Sequence, residues 1–395
     1  MNSNINRPGY KLTPLGWIPD DWKLSVVSRA FNICNHLRYP ISEEIRRSMK
    51  GDYPYYGPTK IQDFINEYRV EGKFALIGED GDHFLKWRQF PMTLLVEGKF
   101  NVNNHAHLIQ GNDISITEWF FYYFNHRELT RYLTRQGAGR YKLTKNSLSK
   151  ILVPLPSLNE QRKITEILSI NDVIISKINQ LISNLEIRNK ALKQQLEKKY
   201  PRTMHILMSE VLKPVLKVVG SNTDKFELLS VTKNGIVSQK EYFNKEVASE
   251  DLTNYKIVIK GEVVMSGLNF WMGSIDLMTD FDVGIVSPAY KVFEVNTNKI
   301  CIRYFKHFVK SKDMLRILVS CSIVGASIVR RNFDKEMFDN WLLKLPLLKD
   351  QKIIADILDC TANELKLQQQ KLKIMKKQKM GLMRKLLTGE VRIKI

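Results

Sequence analysis

The sequence predicts a mixed α/β fold built twice: two similar globular domains, each followed by a long helix, the helices pairing antiparallel as a coiled-coil spacer within a pseudo-two-fold repeat. Three observations carry this. The length of 395 residues exceeds what one ordinary core fills and fits two domains. The phrase PLPSLNEQRKITEIL at 154–168 returns as KLPLLKDQKIIADIL at 344–358, with Leu155/Leu345, Pro156/Pro346, Leu158/Leu348, Gln161/Gln351, Ile164/Ile354, Ile167/Ile357 and Leu168/Leu358 identical. Each copy opens a long stretch of apolar residues at helical spacing.

Residues 1–158 read as the first domain, because YPYYGPTKIQDF, KFALIGEDGDHF and MTLLVEGKF are short strand-like runs broken by Gly and Pro, ahead of a helical ITEWFFYYFNHRELTRYL. Residues 159–200 read as the first long helix. Ile164, Ile167/Leu168, Ile174/Ile175, Ile178, Leu181/Ile182, Leu185, Leu192 and Leu196 form its stripe, with polar breaks at Asn171 and Arg188-Asn189. Ser157 and Glu160 supply a capping box and Tyr200-Pro201 a stop, giving about 60 Å of helix. Residues 201–347 read as the second domain, with strands in NYKIVIKGEVVMSGL, GSIDLM and GIVSPAYKVFEV and a helical KICIRYFKHFVKSKDMLRIL. The second long helix, 348–389, carries Ile354, Leu358, Leu365, Leu372, Met375, Leu382 and Leu386, and a tail of 390–395 follows. Gln368, Lys371 and Lys379 interrupt this second stripe, which predicts a narrower seam there.

A formal net charge of +20 favours a polyanionic partner, nucleic acid foremost. Each domain is only mildly basic, so a binding charge has to be concentrated on one face. Two clusters fit: Arg135, Gln136, Arg140, Tyr141 and Lys142 around Gly137-Ala138-Gly139, and Arg330, Arg331 and Asn332 after Gly325-Ala326-Ser327. Each sets arginine beside a small-residue loop that can approach a groove, with Gln136 and Asn332 able to meet base edges. A solvated basic loop ahead of a helix is the competing reading. Scattered Cys34, Cys301, Cys321 and Cys360, no charged-then-apolar leader and no long uncharged apolar run predict a cytoplasmic protein without structural metal.

Catalytic patterns are few. No GxxxxGK[ST] loop and no Pro-Pro pair occur, so neither a phosphate-binding loop nor the Asn-Pro-Pro-aromatic motif of amino-methyltransferases is present. His105-Ala-His107 reads as surface histidines, for want of a third ligand. Asp82 with Glu97-Gly98-Lys99 resembles a Mg²⁺ nuclease arrangement, but Glu71-Gly72-Lys73 repeats the tripeptide and predicts a turn between strands instead.

The paired LP-x-L-x-[ED]-Q-x-x-I phrases, Tyr53-Pro-Tyr-Tyr-Gly57, Gly78-Glu-Asp-Gly81, Gly284-Ile-Val-Ser-Pro-Ala289 and Leu386-Leu-Thr-Gly-Glu-Val-Arg392 together resemble the specificity subunit of type I restriction-modification enzymes. The resemblance covers the whole chain. It implies two target-recognition domains, each reading one half of a split double-stranded DNA sequence, and paired helices as spacer. It also implies that modification subunits, two of them, dock on the helices and bring S-adenosylmethionine chemistry, while restriction subunits add ATP- and Mg²⁺-dependent translocation and cleavage. The chain itself is then a non-catalytic DNA-binding subunit with no cofactor. Ser157 and Leu347 depart from the family phrase, which has a second proline there. A Mg²⁺-dependent nuclease, or a coiled-coil scaffold that ignores DNA, are the alternative functions.

Overall fold

The structure, a computed structural model, describes residues 7–136, 140–221, 226–243, 251–327 and 330–393. It divides into two compact units, Met1–Gln180 with Gln370–Ile395, and Leu181–Gln369.

Unit 1 begins with the hairpin β1 (Tyr10–Thr13) and β2 (Gly16–Pro19), then β3 (Lys23–Val26) and the single turn α1 (Val27–Ala30). Its main sheet draws on β4 (Asn32–Ile33), β5 (Lys50–Tyr56), β6 (Ile61–Ile65), β7 (Val70–Gly78), β8 (Thr93–Val102) and β9 (Ala106–Gln110), in the order β4-β9-β7-β8-β5-β6. A short helix, α2 (Glu43–Ser48), precedes β5. Both faces of the central strands are buried: Ala75, Ile77 and Ile109 pack with Trp22 and with α3 (Thr117–Phe124), while Phe74, Leu76 and Leu108 pack with Phe100. That double burial is why Phe74–Ile77 is an unbroken apolar run rather than an alternating one. After α3 come β10 (Thr134–Gln136), β11 (Arg140–Lys142), α4 (Lys145–Ser149) and β12 (Leu152–Leu155), and β12 pairs antiparallel with β3. The long helix α5 (Leu158–Lys199) starts here.

Unit 2 opens with β13 (Met204–Leu207), α6 (Met208–Val211), β14 (Leu212–Val215), β15 (Leu229–Thr232), β16 (Gly235–Ser238) and α7 (Gln239–Phe243). It continues through β17 (Lys256–Ile259), β18 (Glu262–Met265), β19 (Ile275–Leu277), β20 (Val283–Val286) and β21 (Lys291–Val295). Its main sheet is smaller, β14-β21-β18-β19. The run read as one helix is two, α8 (Ile302–Phe308) and α9 (Lys312–Ser320), because the Ser311 hydroxyl accepts from the Met314 N–H at 3.2 Å and starts a new helix. Then follow β22 (Ser322–Ser327), β23 (Arg330–Phe333), α10 (Lys335–Asp339), β24 (Leu342–Leu345) and α11 (Leu348–Leu387), with β24 pairing β13 antiparallel.

The repeated phrase does the same work in both units. Gln161 is fully buried; its Nε2 donates to the Pro156 carbonyl at 3.0 Å and its Oε1 accepts from the N–H of Ile116, the N-cap of α3, at 3.0 Å. Gln351 is equally buried, donating to the Pro346 carbonyl at 2.9 Å and accepting from Cys301, the N-cap of α8, at 2.9 Å. One carboxamide thus joins the strand end, the long-helix start and the domain helix. The expected capping box is half formed: Ser157 Oγ accepts from the Glu160 N–H at 3.2 Å, but the Glu160 carboxylate, 1 % exposed, turns away. It accepts from Trp22 Nε1 at 3.0 Å and from Arg392 at 2.9 Å.

Burial along the long helices repeats in alternating steps of three and four: Leu168, Asn171, Ile175, Ile178, Ile182, Leu185, Asn189, Leu192 and Leu196 on α5, and Leu358, Thr361, Leu365, Gln368, Leu372, Met375, Lys379, Leu382 and Leu386 on α11. That is a 3.5-residue period, the signature of coiled-coil packing. Within unit 1 Lys379 pairs with Asp172. Within unit 2 Arg188 pairs with Glu364 and Asn189 Nδ2 donates to the Thr361 carbonyl at 3.4 Å, so in each unit the segments run antiparallel. Gln368 and Lys379, expected to interrupt the stripe, lie on the seam itself; Lys371 faces solvent.

Gln161→Leu and Gln351→Leu each leave a buried carbonyl and a buried N–H without partners, a loss of about 2–4 kcal/mol. Urea denaturation followed by tryptophan fluorescence should show the lowered midpoint; an unchanged midpoint in both would mean that the amide bridge does not hold helix to domain.

Candidate nucleic-acid interface

Both basic clusters fall on β-hairpins, where loops were expected. β10 pairs antiparallel with β11, and β22 with β23 through an irregularity between Val324 and Ser327. Residues 137–139 and 328–329, and the side chains of Gln136, Arg140 and Arg330, lie outside the described residues. Each hairpin leads into a short helix held by a side-chain cap: Thr144 Oγ1 accepts from the Ser147 N–H at 3.1 Å, and Asp334 Oδ1 from the Met337 N–H at 2.9 Å. The order hairpin, capped helix, strand, long helix is identical in the two units.

The two hairpins differ chemically. In unit 1 Arg135 is exposed, donates to the Tyr141 hydroxyl at 2.9 Å and lies 5.1 Å from that ring's centre. Lys142 is already paired, with Glu79 at 3.2 Å and Asp80 at 3.7 Å. It anchors the hairpin base, where the Gly81 N–H donates to the Tyr141 carbonyl at 3.0 Å and the Leu143 N–H to the Glu79 carbonyl at 2.7 Å. In unit 2 Arg331 is half-buried, donates to Ser322 Oγ at 2.9 Å and stacks 4.3 Å from the Trp271 ring centre, while Asn332 is exposed opposite Ile323. Among the described side chains of the two clusters, the exposed ones are therefore Arg135, held by Tyr141, on one hairpin and Asn332 on the other.

Beneath the first hairpin lies a residue that the sequence reading placed on the surface. His107 has no exposed surface, because β9 sits inside a sheet covered on both faces; His105, in the turn before it, is exposed and bonds Asp80 at 2.8 Å. His107 Nδ1 accepts from Asn35 Nδ2 and Arg38 Nη2, each at 2.9 Å, and Nε2–H donates to the Leu143 carbonyl at 2.7 Å. Burial pushes its pKa down to about 4. Arg38 also pairs with Glu79 at 2.8 Å, so Asn35, Arg38, Glu79 and His107 form one network that fixes the hairpin exit. The outermost of these residues, Asn35 and His107, are 72 positions apart, and no local pattern joins them.

The nuclease arrangement does not assemble. Glu97-Gly98-Lys99 lies within β8 and Glu71-Gly72-Lys73 within β7, not in turns, and the tripeptides face each other: Glu71 opposite Lys99, Gly72 opposite Gly98, Lys73 opposite Glu97. Gly72 and Gly98 take φ of 126° and 95°, a kink that the tripeptide's glycine permits inside a strand. Glu97 pairs with Lys73 at 3.3 Å, and among the described residues no group of three or more His, Cys, Asp or Glu converges as a metal site. Among them also, no helix is long and apolar enough to cross a membrane.

Residues 19–198 match the family model of the type I restriction modification DNA specificity domain. A putative type I restriction enzyme specificity subunit of Haemophilus influenzae is 26% identical, with 86% of each chain aligned. A second, the putative MjaX specificity subunit of Methanocaldococcus jannaschii, is 23% identical over 98% of this chain and 97% of its own. The crystal structure of a type I restriction-modification S subunit from M. genitalium shares the fold, with a TM-score of 0.63 and 14% identity over 98% of this chain and 99% of that one.

A buried neutral histidine makes stability depend on pH. With a folded-state pKa near 4 and an unfolded one near 6.5, His107 contributes stability that is fully present above about pH 6.5 and is lost as pH falls towards 4. The loss from this group reaches roughly 3 kcal/mol. His107→Gln should flatten that part of the urea-midpoint profile between pH 6.5 and 4; parallel profiles for variant and wild type would place the dependence elsewhere.

Proposed function

We propose that the chain is a specificity subunit of type I restriction-modification enzymes and that it reads a bipartite double-stranded DNA target, one half through each globular domain, on the faces that carry the two hairpins. The observation that carries this is the matched order of hairpin, capped helix, strand and long helix in the two units, with different side chains on equivalent hairpins. One frame presenting two surfaces suits two unlike half-sites. Arg135, Gln136, Arg140, Tyr141 and Lys142 serve the first half, Arg330, Arg331 and Asn332 the second, with Lys142 setting the hairpin base rather than meeting phosphate. The net charge of +20 supplies the salt-sensitive part of the affinity.

Two modification subunits dock on the helix pair, and restriction subunits join through them. Exposed apolar side chains support this: Ile170, Val173 and Ile174 on the unit 1 part of α5, and Leu367 on the unit 2 part of α11, face solvent although the seam is already filled. S-adenosylmethionine, ATP and Mg²⁺ belong to those partners; this chain works in the cytoplasm, holds no cofactor and catalyses no step.

The test is to co-express the chain with its neighbouring modification genes and map methylated sites on a randomised library. Arg140→Ala should relax one half of the target and Arg330→Ala the other, each by about 1–3 kcal/mol at a base-reading position. Loss of readout in neither half would remove the hairpins from the interface, and absence of any methylation by the wild-type complex would remove the subunit reading itself.

A further inference from the structure

Beside the first hairpin, unit 1 holds a polar cavity of about 370 Å³ whose lining includes Ser42, Arg46, Gln62, Asn103, Asn104 and His105. It adjoins the hairpin through Asp80, whose carboxylate bonds His105 at 2.8 Å and lies 3.7 Å from Lys142. Its inner wall is rigid. The Tyr55 hydroxyl donates to the Tyr39 carbonyl at 2.7 Å and accepts from the Ile41 N–H at 3.2 Å, and Arg46 donates to the Ile41 carbonyl at 2.8 Å.

Hydrogen bonding fixes which way the carboxamides point. The His105 backbone N–H, a donor only, meets Asn103 Oδ1 at 2.9 Å, so that oxygen is the acceptor and Asn103 Nδ2 must be the donor. Asn103 is 5 % exposed, and its Nδ2 donates to Gln62 Oε1 at 3.1 Å. Gln62 therefore keeps its Oε1 turned to Asn103, with one lone pair of that oxygen and both Nε2 hydrogens available to a ligand. Gly57 makes the room, since a Cβ there would stand 2.5 Å from Gln62 Nε2. An exposed glutamine ordinarily spreads over many rotamers; this one is held by a buried partner.

We propose that Gln62, oriented by Asn103, is a base-reading residue of the first domain and that the cavity receives the major-groove edge of a purine. Nε2–H donates to purine N7, and the remaining Oε1 lone pair accepts from adenine N6, which sets adenine above guanine. The inference rests on the DNA-reading role proposed above and adds a specificity determinant in β6, outside both hairpins.

The experiment compares Gln62→Glu with wild type in the complete complex with modification subunits, by methylation of a library randomised at every target position. Glutamate retains the acceptor for Asn103 but turns the outward donor into an acceptor. The expected result is a loss of purine preference at one position of one half-site, at least tenfold, with preference moving to a base that offers a donor, and no change in the other half. Gln62→Leu, which keeps the bulk without polar atoms, should relax the same position without creating a new preference. Loss spread evenly over all positions would reduce Gln62 to a general electrostatic contact, and an unchanged target in both variants would overturn the proposal. Methylation by the wild-type complex, measured alongside, separates either failure from failure of the subunit reading.

Discussion

Gln161 and Gln351 are buried where a strand becomes a long helix, and each gives its donor to a proline carbonyl and its acceptor to the N-cap of a domain helix. Only a neutral side chain with a donor and an acceptor on one planar group satisfies both partners. Glutamate would set an oxygen against the proline carbonyl, and leucine would leave two backbone groups unpaired in the core. Because the bridge fixes the domain helix against the start of the long helix, the strand between them and the hairpin before that strand inherit their position from it. The rest of each unit is arranged around this contact.

The frame is closed by different charges in the two units. In unit 1 the buried Glu160 carboxylate is neutralised by Arg392, which also forks onto Asp21 with two 2.8 Å bonds; that hydrogen bonding holds the Asp21 carboxyl below its usual range. In unit 2 Asp350 is only half-buried, and the arginine standing as far before Arg392 as Leu155 stands before Leu345, Arg202, turns to Asp313 and Glu197. The domain helices follow suit. The Tyr122 hydroxyl on α3 donates to Asp172 at 2.9 Å, while His307 and Arg303 on α8 reach Asp359, both at 2.7 Å. A neutral amide at the centre tolerates this variety around it, since it demands no counter-charge of its own.

The long helices and the repeat were legible because periodicity and identity are local signals that a seam of 3.5 residues imposes directly. Asn171, Asn189, Gln368 and Lys379 misled for the same reason: apolar pattern alone treats a polar residue as a gap, whereas here each occupies the seam, Asn189 and Lys379 with partners on the facing helix. His107 was placed on the surface for want of a third ligand, but the absence of a metal set does not imply exposure, and its strand is buried on both faces. The glycine of each E-G-K was read as a turn, the usual use of a positive φ, yet two such glycines opposite each other allow a kink without ending either strand. Gln62 gave no signal at all, since its orientation depends on Asn103 across the sheet.

This division between what sequence reveals and what it conceals follows from the physics of the two tasks. A frame must bury apolar surface regularly, and regular burial leaves a period. A reading surface must place a few polar groups with set direction, and that needs only one fixed partner behind each group, wherever the chain supplies it. Thus Arg135 is steered by Tyr141, directly opposite on the paired strand, Arg331 by Ser322 and Trp271, and Gln62 by Asn103. No two of these pairs share a spacing. The side chains proposed to face DNA can therefore differ between the two units without disturbing how each folds, because among the described residues they share no hydrogen bond with the amides that hold the helices.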